Sequence, residues 1–382
     1  MAKKYIIGNI QPQPGGFAAF IPGPFPPIGG YHFDENVLQK SHEAVRLLGK
    51  LDGITRLLPD INYFLLMYLR KDAAASSQIE GTKATMINAI EVEVQSKANI
   101  PPDVDDILHY IKALRFGMKR VKEEKFPLSL RFIRELHKEL MDKARISQIS
   151  NPGEFRESQN WIDGTRPDNA RFVPPPVPEM KMALAQIENF IHLKDSIPPI
   201  IKAALIHSQF EAIHPFLDGN GRTGRMLITF YFWHCGYLEE PVLYLSRYFK
   251  KYKEIYINRL EDYHKGLIDK WIYFFLEGVI EVANEAIETV AMITKLREQD
   301  MLKISSLGKR AAESAAIVYP HLFAQPIVSI STIKQWTGFS APGAQKVIDR
   351  FLNLKILHKK DADIKYGQHY YYKNYLGIFI NE

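Results

Sequence analysis

Hydrophobic residues recur every three or four positions along most of this chain, and that period predicts helices. The first begins at Asp34, a residue type suited to an N-cap, and runs through QKSHEAVRLLGKLDGI. The next, at 61–80, reads INYFLLMYLRKDAAASSQIE and is apolar enough to be largely buried. Helices are also expected at 103–123, at 128–146, from Pro199 through Ile213, from about Gly221 to His234, at 247–262 and at 270–297. Two stretches break the period. The first thirty residues are rich in Pro and Gly, with GGFAAFIPGPFPPIGG at 15–30, and are expected to lie as an extended arm over a surface. Residues 148–177 set short β-prone pieces among turn residues, which predicts a hairpin or flap on a helical body.

From about Lys303 the character changes. SISTIKQWTGFSAPGAQKVIDRFLNLKIL reads as two short helices around a turn at Gly338, and KKDADIKYGQHYYYKN as a small hairpin. That order is similar to a winged helix-turn-helix domain. Its basic residues, Lys346, Arg350, Lys355, Lys359 and Lys360, either meet phosphates or are solvated. DNA and protein both stay open as partners of this module.

A length of 382 residues suggests two or three domains. The 46% hydrophobic and 24% charged fractions are those of an ordinary globular protein, which excludes a mainly disordered chain. No apolar run is long enough for a membrane span, and the opening MAKKYIIGNI does not read as a secretory signal. Cys235 is the single cysteine, so a disulfide framework or a cysteine metal cluster is excluded and a cytoplasmic location is expected. The net charge of +6 is too mild to select a partner.

The densest chemistry lies in HSQFEAIHPFLDGNGRTGRMLI, 207–228. Asp218 to Gly224 supplies three glycines at the mouth of a helix, where exposed amides and the positive helix end cradle an anion. Arg222 and Arg225, three apart, share a helix face and suit a polyphosphate. Asp218 is the hard-oxygen ligand of the loop and suits Mg²⁺ held mainly by water and phosphate oxygens. His214 can take a proton from an attacking hydroxyl at neutral pH.

The run HPFLDGNGRTGR at 214–225 resembles the signature of the Fic family, H-x-F-x-D-G-N-G-R-x-x-R, at every defined position. FIPGPFPP near the N-terminus, with LYLSRYF and WIYFFLEGV downstream, is similar to the longer bacterial members. The resemblance implies a mainly α fold: a Fic-type helical core with a small β-hairpin flap, plus a C-terminal winged helix-turn-helix domain. It implies transfer of AMP from ATP to a Ser, Thr or Tyr hydroxyl of a target protein, with release of pyrophosphate. His214 would be the general base, Phe216 the anchor of the loop, and Asp218 the Mg²⁺ ligand. The amides of Gly219, Asn220 and Gly221, with the Asn220 side chain, would form the anion hole. Arg222 would meet the β-phosphate and Arg225 the γ-phosphate, and Gly224 completes the nucleotide-binding motif.

Ser76-Ser77-Gln78-Ile79-Glu80-Gly81 matches the family's inhibitory signature, [S/T]-x-x-x-E-[G/N]. Glu80 would pair with Arg225 and occupy the arginine that orients the γ-phosphate, while Ser76, one helical turn earlier, would help hold the Glu80 carboxylate. Gln209 is placed near nucleotide or in the core, and His207 is expected to be structural. Tyr256 resembles an aromatic position near the adenine, with a packing tyrosine as the alternative. The flap 163–172 would present backbone to a target segment.

The expected division is 1–100 for the arm and inhibitory helical region, 101–298 for the catalytic core and 299–382 for the winged helix-turn-helix. A nucleotide-sensing transcriptional regulator and a de-AMPylating hydrolase are the rival readings. Self-modification, a homodimer and a donor other than ATP are compatible with the same residues.

Overall fold

The computed structural model describes residues 4–56, 58, 60–95, 100–142, 151–360 and 367–380. A hairpin of β1 (Gly8–Gln13) and β2 (Phe17–Pro22) precedes eleven helices: α1 (Glu35–Thr55), α2 (Ile61–Ile79), α3 (Met86–Gln95), α4 (Pro102–Lys122), α5 (Leu130–Met141), α6 (Val177–His192), α7 (Pro199–Ile213), α8 (Asn220–His234), α9 (Ser246–Lys251), α10 (Lys253–His264) and α11 (Ile268–Ser305). The C-terminal part adds α12 (Lys309–Val318), α13 (His321–Ala324), β3 (Ile327–Val328), α14 (Ile330–Thr337), α15 (Ala341–Asn353), β4 (His358–Lys359), β5 (Tyr370–Tyr371) and α16 (Lys373–Ile380).

The mainly α class holds, and the helix at the centre is α7. Pro199 starts it at a position where its missing N–H costs nothing, and every residue from Ile200 to Ile213 is buried. A helix buried on all sides has to be surrounded, and α6, α8, α10 and α11 pack around it. The chain leaving α7 therefore emerges from the core at a fixed place, and that place is His214. Helix α2 runs against α4 and α9 and delivers its C-terminal end to α8. Local signals set the ends: the Asp34 carboxylate accepts from the Val37 N–H at 2.8 Å, and Ser129 caps α5.

Several elements depart from expectation. The N-terminal arm is an antiparallel hairpin, Gly8 opposite Pro22 through Gln13 opposite Phe17. Gly15 and Gly16, at φ 103° and 82°, make the turn, and both strands of this two-stranded sheet are edges, which tolerate Pro12 on β1 and Pro22 on β2. Its Phe20 N–H donates to the Val173 carbonyl at 2.9 Å, which fastens the hairpin beside the flap. The flap itself carries one β-bridge, Ile162 with Phe172, around a 3₁₀ turn at Pro167–Asn169. Helices α3 and α6 were not expected. The helix expected at 128–146 is α5, ending at Met141, and residues 143–146 lie outside the described residues.

Helix α11 is 38 residues long and runs unbroken past residue 298, so no break in secondary structure coincides with the expected boundary there. Beyond it, α14 and α15 flank Gly338, whose φ of 71° makes the turn, and the strands order as β3-β5-β4, all antiparallel. The tip of the expected wing, residues 361–366, lies outside the described residues. Of the five basic residues singled out there, Arg350 bonds Ser314 and Lys360 pairs with Glu91 of α3, while Lys346, Lys355 and Lys359 are exposed. No helix among the described residues is long and apolar enough to cross a membrane.

Candidate active site

Where α7 ends, His214 takes a left-handed backbone conformation, φ 49° and ψ 63°, and its N–H closes on the Phe210 carbonyl at 2.9 Å. For a residue with a Cβ that conformation costs about 1–2 kcal/mol. Surrounding contacts hold it: the His214 carbonyl accepts from Arg156 Nε at 3.0 Å and from Asn160 Nδ2 at 3.1 Å. The loop then turns through Gly219, at φ 75°, into α8. Asn220 closes it, with Oδ1 accepting the Phe216 N–H at 2.8 Å and Nδ2 donating to the Phe216 carbonyl at 2.9 Å. The Asn220 side chain is thus engaged inside the loop, and the open donors are the first backbone amides of α8.

Phe216 is buried and stacks face to face on His137 of α5, ring centroids 3.7 Å apart. His137 accepts the Gly153 N–H on Nδ1 at 2.9 Å and has the Asp218 carbonyl 3.0 Å from Nε2. Those partners assign the proton to Nε2. Burial pushes the imidazole down to about 4, so it is neutral and fixed in one tautomer at physiological pH. A histidine within the apolar stripe of α5 (Phe132, Ile133, Leu136, Leu140) was the available signal for this role.

Ser76, Glu80 and Arg225 meet as the inhibitory pattern implies, with one change of role. Arg225 Nη2 donates to Glu80 Oε1 at 2.7 Å and to the Ser76 carbonyl at 3.0 Å, and its Nε donates to Ser76 Oγ at 2.9 Å. Ser76 therefore grips the arginine rather than the carboxylate. Gly81, at φ 102°, ends α2 directly after Glu80. A Cβ on Gly221 would sit 2.4 Å from Glu80 Oε1, so the carboxylate reaches Arg225 only over a bare backbone. Burial alone would raise the Glu80 carboxyl, but the Arg225 charge and hydrogen bond overturn this and hold it below its ordinary range. Burial likewise works against the Arg225 cation, and Glu80 more than restores it.

Glu80, His214, Gly221, Arg225 and Tyr256 line one cavity of 390 Å³, together with the flap residues Ile162 and Phe172. Lys253 also faces it and donates to the Ile79 carbonyl at 2.6 Å, capping the end of α2. His214 Nδ1 is buried and turned toward Glu211, whose Oε2 is 3.9 Å away. Burial pushes His214 down to about 4 and the Glu211 carboxyl up to about 7. Asp218 and Arg222 stand beside this cavity, 3.6 Å apart, with Asp218 Oδ2 and Arg222 Nε both buried and without a hydrogen-bond partner.

The remaining sequence candidates have other surroundings. Gln209 is buried and accepts from the Tyr263 hydroxyl at 2.7 Å, outside the cavity lining. Gly224 lets α8 close on α7, since a Cβ there would meet Glu211 Oε1 at 2.7 Å and the Phe210 ring at 3.1 Å. Tyr256 is both a cavity wall and a packed side chain, bonded to His207 Nε2 at 2.8 Å and stacked on Phe249. Arg156, Asn160, His137 and Lys253 were missed because they come from segments distant in sequence from the loop, while Glu211, three residues before His214, was missed because nothing in the sequence marks a carboxylate on this helix as buried.

The Fic/DOC family model matches residues 127–232, and the Fic/DOC family N-terminal model matches residues 38–119. This chain carries a Fic/DOC domain. It is 24% identical over 273 residues to a protein adenylyltransferase Fic of Drosophila persimilis, covering 70% of this chain and 49% of that protein. The protein adenylyltransferase Fic of Drosophila melanogaster is 25% identical over 220 residues, 56% of this chain and 41% of the relative. The chain thus spans about half the length of the curated relatives it matches. Among solved structures, a Fic family protein from Desulfovibrio desulfuricans G20 superposes with a TM-score of 0.57 at 17% identity, over 89% of this chain and 97% of that one. Fic-1 (aa134–508) from C. elegans gives 0.52 at 19% identity, over 68% and 73%. At these identities the likeness concerns the fold.

Proposed function

We propose that this Fic/DOC protein transfers AMP from ATP to a Ser, Thr or Tyr hydroxyl of a target protein, and that Glu80 restrains the reaction. The observation that carries the reading is the occupation of Arg225 by Glu80 and Ser76 in the cavity that also holds His214 and the open end of α8. A buried guanidinium at a helix N-terminus suits a phosphate, and a carboxylate stands in its place. The naming of the Drosophila relatives as protein adenylyltransferases points the same way.

In this reading the α8 amides, Arg222 and Arg225 bind and straighten the polyphosphate. With Nδ1 turned to Glu211, His214 keeps Nε2 for the proton of the incoming hydroxyl. A new bond forms from that oxygen to the α-phosphorus, the bond to the β-phosphate oxygen breaks, and pyrophosphate leaves. Most of the acceleration comes from positioning and charge neutralisation, with the base adding about 10²–10⁴-fold. Asp218 fits a magnesium ion: Oδ2 is buried without a hydrogen-bond partner, and a single carboxylate suits an ion held mainly by phosphate oxygens and water. The ion would neutralise phosphate charge.

The test is incorporation of label into protein by the parent chain and Glu80→Gly, with ATP labelled in either the α- or the γ-phosphate. Glu80→Gly should incorporate α-label and no γ-label, roughly 10- to 100-fold above the parent. His214→Ala in that background should lose the signal and keep ATP binding. Equal labelling by parent and Glu80→Gly would refute the restraint, and γ-label would refute nucleotidyl transfer.

A further inference from the structure

Arg156 is 2% exposed and makes no ion pair among the described residues, and its guanidinium is surrounded by main-chain carbonyls. Nε donates to His214 at 3.0 Å, Nη1 to Ser158 at 3.0 Å, and Nη2 to Pro175 and to Ile213, the last at 3.4 Å. Its own N–H donates to the Pro215 carbonyl at 2.9 Å. These acceptors fall into two groups. Ser158 and Pro175 are the two stems of the segment that carries the flap. Ile213, His214 and Pro215 are the end of α7 and the start of the anion loop.

We propose that Arg156 is a positioning residue that registers the flap against His214, so that a hydroxyl on a segment paired to the flap arrives at the imidazole. The proposal rests on the transferase reading for the purpose of the clamp, while the clamp itself rests on the hydrogen bonds. Burying an uncompensated cation is costly, and an apolar side chain would serve a purely structural plug at less expense. What the guanidinium adds is geometry: its planar fork directs donors to several carbonyls at once, which the single point of an ammonium cannot do. Asn160 acts on the same strained residue, donating to the His214 and Phe216 carbonyls at 3.1 and 2.9 Å. Its position four residues after Arg156 places both on the segment leading into the flap. The left-handed backbone of His214 is thus held by donors that all belong to the flap stem.

The experiment uses the full chain with Arg156→Lys and Arg156→Ala, each alone and with Glu80→Gly. Hydrogen exchange followed by mass spectrometry should show residues 159–175 and 213–217 losing protection together, at least tenfold, while α4, α6 and α11 keep theirs. Adding millimolar guanidinium chloride, far below denaturing concentrations, should restore part of that protection in Arg156→Ala and not in Arg156→Lys. In the Glu80→Gly background, α-label incorporation should fall roughly 10²-fold with the ATP Kd changed less than threefold, and guanidinium should recover Arg156→Ala activity. Loss of protection throughout the chain, or at the flap with 213–217 unchanged, would overturn the clamp. If Glu80→Gly itself incorporates no label, the transferase reading fails, and the exchange result still decides whether Arg156 couples the two segments.

Discussion

Ser76 and Arg225, 149 residues apart in sequence, are joined by two hydrogen bonds: Nε to the Ser76 hydroxyl at 2.9 Å and Nη2 to the Ser76 carbonyl at 3.0 Å. The Glu80 carboxylate, one turn further along α2, takes the same Nη2 at 2.7 Å. The arginine is therefore tied to the helix by a serine as well as by a charge. Ser76→Ala removes one acceptor and leaves the carbonyl, a loss of about 1 kcal/mol. Its activity is expected to rise roughly two- to tenfold over the parent in the α-label assay, below that of Glu80→Gly. Because both residues act on Arg225, the double variant should gain less than the product of the two single effects.

Gly224 sets the spacing of α7 and α8. A Cβ there would press on Glu211 Oε1 at 2.7 Å and on the Phe210 ring at 3.1 Å, both in the packed interior. Gly224→Ala should destabilise the chain by about 1–3 kcal/mol through overpacking. Urea unfolding followed by circular dichroism checks this: the midpoint should drop while the slope stays near that of the parent.

What was legible in the sequence was what lies in consecutive residues. His214 through Arg225 sit on one loop and one helix turn, so their spacing alone implied a common site, and the Glu80 pattern located its counterpart on α2. Helices α1, α2, α4, α7 and α8 began and ended within a residue or two of expectation. Helix α6 was hidden behind the prolines at 174–176, which belong to its N-terminal approach. The N-terminal hairpin was read as an arm because its prolines mask a strand pair whose alternation becomes clear only across the Gly15–Gly16 turn. Arg156 was invisible for a different reason. Its partners are main-chain carbonyls of the flap stems and of residues 213–215, and a carbonyl leaves no mark in a sequence.

Glu211 provides a titration with a distinct sign. Burial raises its carboxyl to about 7 from an ordinary 4.5, so the folded state holds this proton where the unfolded chain releases it. Its contribution is fully present below about pH 4.5 and is lost as pH rises through 7. Relative to the parent, Glu211→Gln should gain stability between pH 5 and 8, on the order of 2–3 kcal/mol by the upper end. Thermal melting of both proteins at half-unit pH intervals measures it. Parallel curves would show that Glu211 is ionised throughout and held by charge rather than neutralised by burial.

His214 shifts the other way. Burial lowers its pKa to about 4, opposed by the nearby Glu211 carbonyl and by the charge of Glu80. Replacing Glu80 with glycine removes one of the groups that raise it, so in the released enzyme the imidazole stays deprotonated further into acid. A base that is neutral throughout the physiological range needs no pH activation. The kcat/KM for ATP, which reports groups of the free enzyme, should be level from pH 6 to 8 at saturating magnesium in the Glu80→Gly/Glu211→Gln double variant, where the Glu211 carboxyl no longer titrates beside the base. Its acid limb should have a midpoint well below the ordinary histidine value of 6.5. Direct titration of the His214 ring protons by NMR in the same variant should give the same midpoint. A ring titrating at or above 6.5 would mean that the imidazole is solvated, that Nδ1 is not turned inward to position 211, and that the nitrogen assigned to the incoming hydroxyl has to be reversed.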